Sequence, residues 1–374
     1  MSMNDLELIE EFAKARNITA RTLYGYRHVF KTYKEYTGKQ LTELLKEAEK
    51  EEEEGIRWKH RTIKKRLIGY RNYLQDKYCV STVKLNFSRL LTFYRHHEIE
   101  IHDIPSFNTK NARESTPLNF KDLPDKDIIK HALKIATPIM RAIILFISSS
   151  GCARRETLNL TIADFIEATK DYHNSDDIYE VIDILKDKHD VIPTFTLKRQ
   201  KTGKHYTTFC SPEATSEIIN YLLSINKSLK NEDGLFKINL YYFNREFSRL
   251  NDLLKLGRRG NYNRFRSHML RKFHASQLYN DGMSLEDVDS LQGRGKDSTH
   301  SSYFMDDPEK LREKYIEHMN AITINLDVNN LDIKSPEYLK LETENKELSS
   351  YVDEQSQKID DILKRVYSLE KMKK

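Results

Sequence analysis

The stretch Ser148–Leu160, SSSGCARRETLNL, closes one apolar helical run, turns at Gly151 and opens another helix from Arg155. Upstream, Ile128 to Ala136 and Pro138 to Ser148 carry apolar residues at helical spacing. Downstream, Val191 to Cys210 alternates β-branched and other residues, breaks at Gln-Lys-Thr-Gly-Lys, and alternates again. That pattern predicts a β-hairpin with Lys201 at its turn, inside an otherwise helical region. The expected fold class is mainly α with a small β-sheet.

The first hundred residues extend the helical reading. Apolar positions recur at helical spacing through Leu6 to Phe12, Leu23 to Tyr36, Ile63 to Leu74 and Val83 to Tyr94. Thr19 and Ser81 stand before two of these runs as expected N-caps. Ile104 to Pro117 is polar, aperiodic and contains two prolines, as a linker does. The expected division is a helical bundle over 1–104, a linker over 105–117, a second domain over 118–320, a second linker over 321–335 and a terminal helix over 336–374.

A chain of 374 residues is long enough for two cores. Its 62 Lys and Arg exceed its 57 Asp and Glu by five, too slight an excess to name a partner. Distribution says more: Glu47 to Glu54 is acidic, whereas Arg57 to Arg71 and Arg258 to Lys272 are strongly basic. Cys79, Cys152 and Cys210 offer neither a disulfide framework nor a zinc spacing. The acidic start lacks a signal-peptide pattern, and Ala142 to Ile147 is too short to cross a bilayer. The expectation is a soluble, cytoplasmic, nucleoid-associated protein.

Ser335-Pro336 reads as the N-cap and first residue of the terminal helix. Asn345, Val352, Ile359 and Val366 form one heptad line; Leu341, Leu348, Gln355, Ile362 and Leu369 form the other. β-branched residues in one line and mostly leucine in the other favour a parallel coiled coil, with Asn345 setting register. The alternative is an amphipathic helix folded back on its own domain.

Two further stretches carry chemistry. SHMLRKFHASQLYNDG, residues 267–282, places His268 one helical turn before Arg271, and GRGKDSTHSSYFMDDPEKLREKY, residues 293–315, surrounds Tyr303 with cations. Taken in order, SSSGCARRETLNL, the Lys201 hairpin, His268-Met-Leu-Arg271, LQGRG and Tyr303 resemble the tyrosine recombinases, the phage-integrase family, and particularly its archaeal members. The resemblance covers about residues 1–320 and suggests a virus or other mobile element as the source.

The resemblance implies a site-specific recombinase that needs no metal or nucleotide cofactor and acts on double-stranded DNA as a tetramer on paired sites. Tyr303 would attack phosphorus to form a 3′-phosphotyrosyl link. Lys201 would protonate the leaving 5′-oxygen, with Lys198 and Lys204 as nearby competitors. Arg271 would clamp a nonbridging oxygen with its fork of donors, and His268 would assist proton transfer. Arg294 stands where many relatives have histidine; it can bind phosphate but stays charged. His300 is a rival with a poorer spacing.

One position departs from the pattern. Aligning Gly151, Glu156 and Leu160 puts Ala153 where the first catalytic arginine is expected, as an engineered arginine-to-alanine exchange would. Arg154 and Arg155 point about 100° apart on a helix, so neither replaces it automatically. The expected consequence is an attenuated or inactive chain.

The N-terminal bundle resembles the family's core-binding domain, with Arg21, Arg27, Lys31, Lys64, Lys65, Lys84 and Arg89 as expected phosphate contacts. Three rival readings remain: a type IB topoisomerase, a noncatalytic architectural DNA-binding protein on the same fold, and a metal-dependent nuclease using His96, His97, His102 and Asp103. The last set lacks a persuasive ligand spacing.

Overall fold

In a computed structural model, residues 4–106, 119–225, 228–294 and 307–324 are described, in two compact units that divide after Pro117. Tyr303, His300 and the heptad residues Leu341, Asn345, Leu348, Val352, Ile359, Ile362, Val366 and Leu369 lie outside the described residues. So does the alternative of a terminal helix folded back on its domain. The described structure is mainly α with two two-stranded antiparallel sheets.

Among its described residues the first unit has five α-helices: α1 (Asp5–Ala15), α2 (Ala20–Thr37), α3 (Leu41–Glu53), α4 (Thr62–Lys77) and α5 (Val80–His96). Asn4 starts α1 by accepting hydrogen bonds from the backbone N–H groups of Leu6 and Glu7, completed by Glu7 as a capping box. Thr19 accepts from Thr22 N at 3.4 Å and starts α2 as expected. Phe12, Phe30, Tyr33, Tyr70, Phe93 and Tyr94 fill the core, and the Tyr33 and Tyr94 hydroxyls satisfy each other at 3.0 Å.

One expectation needs correction here. Ser81 is not an N-cap: that place is taken two residues earlier by Cys79, whose sulfur lies 3.3 Å from Thr82 Oγ1 but makes no capping bond to the backbone. The acidic run from Glu47 also has a place in the packing. It belongs to α3, whose Leu41, Leu44, Leu45 and Ala48 are buried at helical spacing. Its carboxylates meet the neighbouring basic stretch, with Glu47 2.8 Å from Arg66 and Glu51 accepting from Thr62 N at 2.9 Å. Glu52 likewise pairs with Arg61, which is only 7% exposed. Arg61 and Arg66, two of the cations between 57 and 71, are therefore paired with carboxylates within the unit.

The second unit is built around α7 (Pro138–Ser150), buried from Ala142 to Ser150 and preceded by α6 (Lys126–Ile135). A helix apolar on all sides is a central helix, here packed by α11 (Pro212–Leu223) and α13 (Ser267–Asn280). Three short helices follow α7: α8 (Arg154–Asn159), α9 (Ile162–Ala168) and α10 (Ile178–Leu185). The hairpin forms where expected, β1 (Thr194–Lys198) pairing β2 (His205–Phe209) with Lys198 opposite His205. Beyond α11 come α12 (Leu240–Leu253), a small ribbon of β3 (Arg258–Arg259) and β4 (Tyr262–Asn263), then α13 and α14 (Leu285–Leu291). A last described helix, Pro308–His318, brings Tyr315 into the core. Ile322 and Ile324 are buried in that core too, so the unit runs to residue 324 where a linker was expected from 321.

Three successive carbonyls at the end of α7 each receive a side chain from a different segment. Ser149 O accepts from Tyr315 Oη at 3.0 Å, Ser150 O from Thr208 Oγ1 at 2.7 Å, and Gly151 O from the Arg271 guanidinium. The carbonyls that a helix end leaves without backbone partners thus fasten the last helix, the hairpin and α13 to one turn.

Candidate active site

Gly151 makes the turn that opens the site. Its φ of +64° is left-handed, and a Cβ there would meet His274 Nδ1 at 2.6 Å, so conformation and crowding both demand glycine. Past this turn Ala153 is the N-cap of α8 but contributes no capping side chain. Glu156, buried on α8, accepts from Gln200 N at 3.3 Å and ties the hairpin turn to that helix.

These elements surround a concavity of about 740 Å³. Ala153, Arg154, Arg155, Arg199, Lys201, Arg266, His268 and Arg271 line it together. The sequence-derived candidates Lys201, His268, Arg271 and Ala153 are therefore brought to one place although they span more than a hundred residues. Arg294 is not among the lining residues; it is exposed and paired with Asp289 at 2.9 Å.

Arg271 is only 4% exposed. Its Nη1 donates to Gly151 O and its Nη2 to Gln292 O, the latter at 2.6 Å. Burial, then the nearby Arg199 cation, lowers its pKa to about 10, so it remains charged at neutral pH. Two of its five N–H donors are spent on carbonyls, which fixes the fork and leaves the rest for a ligand. Partial desolvation and the cations Arg266, Lys272, Arg271 and Arg294 push His268 down to about 4, so its imidazole is neutral at neutral pH.

Lys201 is exposed on a turn closed by Arg199 N donating to Lys204 O at 2.7 Å and Gly203 N to Arg199 O at 2.8 Å. Lys198 and Lys204 are exposed as well, but neither lines the concavity. Three groups that the motifs did not assign support the site. Gln292 Nε2 donates to Arg271 O at 2.9 Å and lies 3.0 Å from His274 Nδ1. Burial and the Arg271 cation push His274 down to about 3. Arg199, half-buried at the end of β1, donates from Nη1 to Gln292 O at 2.8 Å. Only the apolar/polar alternation of β1, which sends successive side chains to opposite faces, hinted at a special role for Arg199.

In the first unit Arg21, Arg27 and Lys31 are exposed on α2, and Lys84 is exposed on α5. Lys31 has Glu35 at 4.0 Å, while Lys65 is exposed and Lys64 half-buried on α4. Arg89 packs over Tyr26, its guanidinium 5.8 Å from the ring centre. The histidines weighed as metal ligands have another role: His96 and His97 pack their rings on Phe12, at 5.0 and 6.5 Å. His102 lies 5.7 Å from the Trp58 ring. Among the described residues no helix is long and apolar enough to cross a membrane.

No family model matches the sequence, and a search of curated proteins finds no match. Solved structures do match. A XerH site-specific recombinase bound to palindromic difH substrate is 18% identical over 83% of this chain and 83% of that one, with a TM-score of 0.51. A lambda integrase dimer bound to a COC′ core site is 13% identical over 82% of this chain and 98% of that one, at 0.52. A lambda integrase tetramer bound to a Holliday junction is 16% identical over 82% and 78%, at 0.52. The chain has the tyrosine-recombinase fold.

Proposed function

We propose that the chain is a site-specific DNA recombinase of the tyrosine-recombinase type, cleaving and rejoining strands through Tyr303. The observation that carries this reading is the convergence of Lys201, His268 and the buried, carbonyl-braced Arg271 on one concavity.

The step balances as follows. The Tyr303 hydroxyl oxygen forms a bond to phosphorus, the bond from phosphorus to the 5′-oxygen breaks, and the proton lost by the phenol goes to His268 or water. Lys201 gives a proton to the departing 5′-oxygen, and the phosphodiester is conserved as a phosphotyrosyl ester. Arg271 neutralises a nonbridging oxygen as charge builds in the transition state. Reversal by another 5′-hydroxyl reseals the strand.

Exchange needs two paired duplexes, so the active assembly is a homo-oligomer, a tetramer on DNA. The heptads from Leu341 to Leu369 would tether protomers within it. Arg21, Arg27, Lys31, Lys64, Lys65, Lys84 and Arg89 would hold the DNA backbone. Ala153 slows strand cleavage by on the order of 10²–10³ if no other side chain takes the missing guanidinium's place.

The test uses a labelled pool of random-sequence duplexes, incubated with the chain, Ala153→Arg and Tyr303→Phe, then denatured. Covalent adducts that vanish in Tyr303→Phe are expected. Binding without any Tyr303-dependent adduct, even in Ala153→Arg, would favour a noncatalytic architectural role. Adducts with supercoil relaxation but no exchange between sites would favour the topoisomerase-like reading.

A further inference from the structure

We infer that Arg199 supplies the second phosphate-binding guanidinium of the concavity, from the hairpin rather than from the turn after α7. The inference rests on the reading above for its substrate, a phosphodiester oxygen.

Arg199 Nη1 and Arg271 Nη2 donate to the same atom, the Gln292 carbonyl oxygen, at 2.8 and 2.6 Å. Their donor nitrogens are therefore within two hydrogen-bond lengths of each other. Among the described residues neither guanidinium is ion-paired with a carboxylate. Two like charges held together away from bulk water, without a counter-ion, are unfavourable unless an anion joins them. One carbonyl dipole does not neutralise two cations.

Position and composition agree with that reading. Arg199 lines the same concavity as Ala153 and Arg271, so the space opposite Arg271 that a longer side chain at 153 would enter is within reach of the hairpin arginine. Its backbone is held on both sides, by the Lys204 carbonyl and by the Gln200 N–H bond to buried Glu156. Arg154 is directed elsewhere, donating to Asn244 Oδ1 at 3.0 Å. A tetrahedral oxyanion could then take one fork from Arg271 and one from Arg199, a geometry to which planar guanidinium groups are suited.

The probe is inorganic phosphate, titrated into the full chain by calorimetry at fixed ionic strength. Arg199→Ala is expected to weaken binding at least tenfold, and Arg199→Lys by less. Lys237→Ala, whose ammonium pairs with Asp233 outside the concavity, is the control and should bind within twofold of the parent. Adding Ala153→Arg to Arg199→Ala should restore affinity to within about threefold, because the lost group is a charge in that space and not a strut of the fold. No measurable phosphate binding by the parent chain, unchanged binding in Arg199→Ala, a loss that Ala153→Arg fails to restore, or a loss confined to Arg154→Ala or Arg155→Ala would each overturn the inference. Phosphate binding needs no Tyr303. Loss of the Tyr303-dependent adduct with the Arg199 effect intact would therefore sink the strand-transfer reading alone, and adduct formation with unchanged phosphate binding in Arg199→Ala would sink this inference alone.

Discussion

A Cβ at residue 151 would stand 2.6 Å from His274 Nδ1 and 3.0 Å from Gln292 Nε2. The glycine that ends α7 is thus in contact, through its missing side chain, with the two buried groups behind Arg271. Gly151→Ala should destabilise the second unit by about 1–3 kcal/mol, adding left-handed backbone strain to overlap. It should also weaken phosphate binding. Urea unfolding of the variant, followed by phosphate titration under native conditions, checks both; full stability would show that the turn can relax.

His274 predicts an acid response. Its folded pKa, about 3, lies below the unfolded value of 6.5, so the unfolded chain takes up the proton first as pH falls. The stability this neutral histidine represents is fully present above pH 6.5 and is lost progressively as pH falls from 6.5 toward 3. Its share of the slope can reach about 1.4 kcal/mol per pH unit. Replacement by Asn, which can still meet Gln292, should flatten stability against pH in that window. An unchanged slope would mean that the ring is solvated and protonates freely.

Lys201→Ala should slow cleavage by on the order of 10²–10³ on a duplex recovered from the random pool. Substituting sulfur for the 5′-bridging oxygen should recover most of that loss, since a thiolate leaves without protonation. Recovery in Lys198→Ala or Lys204→Ala instead would move the general acid along the hairpin.

Salt dependence separates the cations of the first unit. Arg27→Ala or Lys84→Ala should reduce the slope of log affinity against log salt by about one each, as loss of a phosphate contact does. Arg66→Ala should leave the slope unchanged and lower stability, because its guanidinium is engaged by Glu47 at 2.8 Å. Equal slope changes at all three would show that Arg66 exchanges Glu47 for DNA.

Local patterns carried much of this architecture. Alternation and the Lys-Thr-Gly turn disclosed the hairpin, Thr19 announced α2, and an apolar run disclosed α7. The ordered motifs also grouped Lys201, His268, Arg271 and Ala153, which line one concavity, with Arg294, which does not. Long-range pairings were not legible. Nothing near Glu47 reveals that it will meet Arg66, so a pairing face read as a charge run, and the helix beneath it went unread. Arg199 was missed for the same reason: its significance lies in sharing a carbonyl with Arg271, 72 positions along the chain by their numbers. The start of α5 was not legible because its N-cap, Cys79, makes no capping side-chain hydrogen bond and so leaves no start signal in the sequence.

The final turn of α7 gives the second unit a common failure point. Ser149, Ser150 and Gly151 receive Tyr315, Thr208 and Arg271 respectively. The residues flanking positions 295–306 are fastened there as well, since Gln292 holds Arg271 on one side and Tyr315 follows on the other. Damage at these fasteners would therefore not add up site by site: a slipped turn releases Arg271 on α13, Thr208 on the hairpin and Tyr315 on the last described helix together. Mechanical integrity in this unit and the placing of its concavity's walls share three consecutive peptide carbonyls.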